Sequence, residues 1–159
     1  MSVWHRLYCY VCCMSQPAYP IRTTSSRLQF AFESINEGHV VQKRIEFTAF
    51  PVNPDIYNLA FGDLNEEGVL DDLTVSNNQD MERVLATVIQ ALVVFLETYP
   101  NKTVFFTGST VTRTRLYRAA INRVIADYEE LRVDGIMDTT IERFQPNKPY
   151  QAFLVRLNS

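Results

Sequence analysis

The sequence predicts an α+β domain: a curved, mostly antiparallel sheet of about six strands with two helices packed on one face. Three observations point there. Alternating apolar stretches crowd the first half of the chain, two stretches with apolar residues three and four apart follow, and further alternating stretches come after the first of these and near the end. Strands in a run, helices next and strands again is the order of an α+β protein rather than of repeated βαβ units. With 159 residues, 47% hydrophobic and 21% charged, the chain has the apolar mass for one real core.

Residues 1–26 differ from the rest and read as a flexible or misassigned N-terminal tail, leaving 27–159 as a single α+β domain. Met1–Met14 is apolar and holds all three cysteines, Cys9, Cys12 and Cys13, and a Pro/Ser/Thr stretch follows to Ser26. The apolar run is too short for a secretory signal and has no small residue at a cleavage point. Cys9 and Cys12 with His5 form half a zinc pattern with no second pair, so no metal and no cofactor is expected. Met14 serves equally well as a start. With no disulfide framework, the default compartment is a reducing cytoplasm. No apolar run reaches membrane-spanning length, so no membrane association is expected.

Leu28–Ser34 alternates as a strand, and Asn36-Glu-Gly38 is a turn signal because glycine readily takes positive φ. Val40–Phe50 continues as a strand with Ile45, Phe47 and Ala49 on one face. Asp55–Gly62 and Val69–Val75 complete a four-strand antiparallel meander. His39, alone at the first turn, is more plausibly solvated than a general base, which needs an orienting partner. Asn77 caps the next helix with Asp80 three residues on. That helix is apolar at Val84, Leu85, Val88, Leu92, Phe95 and Leu96, widened by Ile89, Val93 and Val94, so it is the most covered element; Pro100 ends it. Asp63, Asp71, Asp72 and Asp80 form the one conceivable hard-metal cluster, although turns and caps are where aspartate ordinarily sits.

Thr103–Thr107 is a buried strand that runs into Gly108, the hydroxyls of Ser109, Thr110, Thr112 and Thr114, and a second helix. This helix is predicted to bury Leu116, Tyr117, Ala120, Ile121, Val124, Ile125 and Tyr128, with Arg113 on the same stripe and Arg115, Arg118 and Asn122 on a more exposed face. Leu131–Met137 and Tyr150–Leu157 close the sheet as strands. The stretch from Lys102 through the second helix to Leu131 suits one parallel crossover.

The sign of charge singles out the second helix. A helix N-terminus carries roughly half a positive charge and favours acids. Here the first turns hold Arg113, Arg115 and Arg118, and the first acid is Asp127. Negative charge has to come from the acid-rich stretch Asp55–Glu82, which has eight acids and no base, or from a ligand. Twelve of the fifteen basic residues are arginine, the type suited to bidentate phosphate and carboxylate contacts. Net charge is −3, so any nucleic-acid contact has to be local. The full Gly-x4-Gly-Lys phosphate loop is absent. In the plain alternative, Ser109 or Thr110 is only the helix cap and Asp63, Asp72 or Asp80 neutralises the arginines.

Tyr57-Asn-Leu-Ala-Phe-Gly-Asp63, Ser76-Asn-Asn78 with Asp80, Val84-Leu-Ala-Thr-Val88, and Gly108-Ser-Thr110 with Arg113-Thr-Arg-Leu-Tyr-Arg118 together resemble the DUF6934 group of small bacterial proteins of unknown function. The resemblance runs from about Phe30 to the end. It implies that these segments belong to one constellation and brings no activity with it.

The expected function is recognition of an anion or phosphate, on a nucleotide, RNA or other phosphate-bearing ligand, either bound or acted upon. The ligand-binding residues are Gly108, Ser109, Thr110, Arg113, Arg115, Tyr117 and Arg118, with Asn77, Asn78, Asp80 and Asp63 as secondary candidates. No convincing general base accompanies them, so no catalytic residue is assigned. The alternative is a non-catalytic interaction module with a small protein partner, such as one component of a toxin–antitoxin or regulatory pair.

Overall fold

A computed structural model describes residues 18–71, 80–108, 110–124 and 129–158. The chain forms two compact units, each drawn from separated stretches: one from the chain up to Glu46 and Ala60–Phe95, the other from Phe47–Leu59 and the chain from Leu96.

The first unit holds β1 (Arg22–Thr23), β2 (Gln29–Asn36), most of β3 (His39–Phe50), the end of β4 (Asn53–Leu64), β5 (Leu70–Asp71) and most of α1 (Met81–Thr98). Its strand order is β1-β2-β3-β4, with β5 on β4. The β2–β3 hairpin closes through Glu37 and Gly38, at φ 48° and 81°. Positive φ at both positions matches the right-handed twist of the strands, as a type I′ turn does. Phe30, Phe32 and Ile45 are buried on one side of this hairpin. Every residue of α1 from Val84 to Leu96 except Gln90 is buried, as an apolar sequence on all sides of a helix requires.

Packing starts ahead of residue 27. Tyr19 is 2% exposed and stacks on Phe32 at 5.8 Å between ring centroids. Its N–H donates to Thr87 Oγ1 (2.9 Å) and its hydroxyl to Asp80 Oδ2 (2.5 Å), while the Arg83 guanidinium lies 3.8 Å above its ring. β1 then pairs with β2. A short polar strand after two prolines carries no alternation, which is why the segment reads as a tail.

The second unit contains the end of β3, the start of β4, β6 (Thr103–Phe106), α2 (Val111–Val124), β7 (Leu131–Met137), β8 (Thr140–Arg143) and β9 (Ala152–Leu157). Its order is β4-β6-β9-β7-β8. The β4–β6 pair is parallel, and β9 pairs antiparallel with both β6 and β7. A parallel neighbour needs a crossover, and the connection from β4 to β6 runs through α1. The crossover expected between Lys102 and Leu131 is present in split form: β6 and β7 are both antiparallel to β9, so they run parallel to each other with β9 between them.

The fold class is α+β with a mostly antiparallel sheet. Nine strands stand among the described residues, where the sequence predicts about six. The unexpected β1 and β8 are edge strands with almost wholly exposed residues, so they lack the apolar alternation that marks a strand. Of the expected strand Val69–Val75, Leu70–Asp71 is formed and 72–75 lies outside the described residues. Among the described residues no helix is long and apolar enough to cross a membrane.

Candidate functional site

The predicted turn is a glycine fitted against the first turn of α2. A Cβ on Gly108 would lie 2.4 Å from the Thr114 nitrogen and 2.7 Å from its Oγ1. Close approach, not unusual φ, therefore selects glycine here. The Gly108 N–H donates to Thr114 Oγ1 (3.1 Å), whose hydroxyl donates to the Thr110 carbonyl (3.1 Å). Thr114 is buried and ties the loop to the helix instead of offering a hydroxyl outward.

Thr110 is the N-cap. The Arg113 N–H, third in the helix, donates to Thr110 Oγ1 (3.1 Å), leaving the N–H groups of Val111 and Thr112 among those a helix start does not satisfy internally. Ser109 lies outside the described residues.

β6 and β9 supply the opposite wall. Thr107 Oγ1 donates to the Gln151 carbonyl (2.6 Å), joining the two strand ends beside α2. Together these elements enclose a concavity of about 490 Å³, lined by Gly108, Thr110, Val111, Arg115 and Arg118 on one side and by Pro149, Tyr150 and Gln151 on the other. Among the described residues no carboxylate, imidazole or thiol belongs to the lining.

Tyr150 is held where it is by two hydrogen bonds, one of them to a carboxylate that a lysine fixes in turn. Its hydroxyl donates to Glu142 Oε1 (2.8 Å) and accepts from the Gln145 N–H (3.0 Å), and Lys148 Nζ donates to the same carboxylate oxygen (2.6 Å). The Lys148 ammonium first, and then the Tyr150 hydroxyl, hold the Glu142 carboxyl below its ordinary range. Burial first, and then the bond to Glu142, push the Tyr150 hydroxyl up. It thus stays protonated and is a poor base.

Of the predicted ligand residues, Gly108, Thr110, Arg115 and Arg118 meet at this concavity. Arg113 is half-buried and does not line it. Tyr117 is 5% exposed, with its ring 5.9 Å from that of Phe106 in the core. Among the described side chains the buried stripe of α2 is Thr114, Tyr117, Ala120 and Ile121, and Leu116 is 40% exposed. Because Thr114 turns inward to reach Gly108, the helix is rotated relative to the purely apolar stripe. Ile125 and Tyr128 lie outside the described residues.

Three acids of the acid-rich stretch have partners of their own. Asp63 pairs with Lys43 in a buried ion pair, and Asp55 with Lys102. Asp80 immediately precedes α1 and accepts from Tyr19 and Ser34 through Oδ2. Among the described residues, neither Asp63 nor Asp80 belongs to the lining of the concavity. Asp72, Asn77 and Asn78 lie outside the described residues, as do the cysteines and His5. His39 is exposed at the start of β3. Among the described residues no three His, Cys, Asp or Glu side chains converge as metal ligands.

The sequence reading missed Pro149, Tyr150 and Gln151. Asn147-Lys-Pro149 signals a loop, but nothing local says that the loop returns to Gly108. No curated protein and no solved structure matches the chain. The family model for DUF6934, a family of unknown function, matches residues 15–158, and the chain belongs to that family.

Proposed function

We propose that this protein recognises a phosphate-bearing ligand, a nucleotide or RNA, at the concavity capping α2. One observation carries the reading. Arg115 and Arg118 both line the concavity, and among the described residues its lining contains no acid and no carboxylate pairs with either. α2 also has no acid in its first turn, so the helix end and the guanidinium groups bring charge of one sign to one place. A phosphate resolves this with its oxygens on guanidinium forks and open N–H groups. Among the described residues the lining offers no general base, which favours recognition over bond-making.

The test is isothermal titration with inorganic phosphate, a mononucleotide and a short RNA. Each charge-assisted hydrogen bond contributes about 1.5–3 kcal/mol, so Arg115→Ala/Arg118→Ala should weaken binding about a hundredfold or more. The melting temperature should stay near that of the parent, since Arg115 is exposed. Unchanged affinity in the double variant would refute the reading. A second reading, a non-catalytic interaction module with a small protein partner, draws on Val111 and Leu116, 80% and 40% exposed beside Arg115. It is favoured if no phosphate compound binds and Arg118→Glu releases a co-purifying protein.

A further inference from the structure

The geometry points to a second phosphate-binding site at the other end of β6 and β9, built on Lys102, Arg132 and Arg156. These side chains line a concavity of about 450 Å³ together with Thr103 and Asn158, and among the described residues its lining contains no carboxylate. Strand register explains how the charges meet. Arg132 and Arg156 are direct partners across β7 and β9, so both side chains leave the same face as nearest neighbours. Like charges placed this way destabilise a strand pair. Val104 of β6 faces Val155 of β9, which brings the Lys102–Thr103 end of β6 alongside Arg156.

Neutralisation inside the unit is partial. Lys102 Nζ lies 2.7 Å from Asp55 Oδ1, and Arg132 Nε lies 3.2 Å from Asp134 Oδ1. The Asp55 side chain is 72% exposed, where water screens its charge. Only Nε of Arg132 is engaged among the described residues, and no described carboxylate pairs with the exposed Arg156. Three cations against two carboxylates leave one formal positive charge. The guanidinium donors left open on Arg132 and Arg156 suit the several oxygens of a phosphate better than those of a single carboxylate. Guanidinium forks take its oxygens in pairs and the ammonium adds a point charge. Seated between Arg132 and Arg156, it turns their repulsion into shared attraction.

The two sites are separate. Gln151 lines one concavity and Asn158 the other, seven residues apart along extended chain, or roughly 20 Å. Each therefore stands or fails alone.

The test follows amide resonances of the isotopically labelled full chain during titration with inorganic phosphate, with acetate at matched ionic strength as control. Phosphate should shift signals around Lys102, Arg156 and Asn158 with their own saturation curve, distinct from those at Gly108 and Thr110. Arg132→Gln/Arg156→Gln should weaken the first set at least tenfold and leave the second unchanged. Arg115→Ala/Arg118→Ala should do the reverse. In phosphate-free, low-salt buffer, Arg156→Gln should melt above the parent protein, and added phosphate should narrow that gap. Three outcomes overturn the proposal: no shift around Lys102 and Asn158, equal shifts with acetate, or shifts that persist in the Arg132/Arg156 double variant.

Discussion

Asp63→Ala is expected to lower the free energy of unfolding by about 3–5 kcal/mol, the usual cost of removing one member of a buried ion pair. The Lys43 and Asp63 side chains are 9% and 12% exposed and pair directly between β3 and β4. Two charges taken out of water are tolerable there because each faces the other. Alanine leaves the ammonium buried without this carboxylate, in a place water barely reaches. For a chain of this size the loss corresponds to a fall in melting temperature of about 6–20 °C, read by circular dichroism. Lys43→Met combined with Asp63→Leu should recover most of it, because well-packed apolar residues replace such pairs at little cost. A single variant that melts with the parent would show that the pair contributes nothing and that water compensates the lysine.

Gly135→Ala should be nearly as damaging, although it adds only a methyl group. The added Cβ would sit 2.3 Å from Cδ1, 2.4 Å from Cε1 and 2.5 Å from Cγ of Tyr150. The ring has nowhere to go. Its hydroxyl is bonded to Glu142 and Gln145, and Phe144 and Phe153 lie against it at 5.5 and 6.2 Å between centroids. Overpacking of this kind costs about 1–3 kcal/mol and occasionally more, and the pinned ring places Gly135→Ala at the upper end. Because Tyr150 lines the α2 concavity, phosphate affinity should fall together with stability. A double-mutant cycle checks the cause: with Tyr150→Leu already present, Gly135→Ala should cost clearly less than it does alone. Strictly additive costs would mean that the ring is not the obstacle.

Much of the fold was legible in sequence, where a short stretch carries its own physics. Glu37-Gly38 specified a two-residue turn through the φ that glycine permits, and the apolar run of α1 specified a helix covered on all sides. Gly108, Thr110, Arg115 and Arg118 were readable as one place because strand end, glycine, cap and basic turn follow within eleven residues. For Tyr117 the pattern supported two readings, a place on the buried stripe and a place at the ligand turn, and its ring lies buried beside Phe106. β1 and β8 went unseen since an exposed edge strand has no buried face to write into the sequence.

From its own order of residues the chain determined its local elements, its α+β class and the surplus of positive charge at the start of α2. Hydrogen-bonding geometry, side-chain period and the helix dipole act over a few residues, so they can be read without partners. Tertiary structure alone decided that β6 pairs parallel with β4, that Asp63 answers Lys43, and that Tyr150 and Gln151 close the wall opposite Gly108. It also decided that Arg132 faces Arg156. Each of these depends on which distant surfaces bury one another, and strand register between segments tens of residues apart is set by packing that no local pattern encodes.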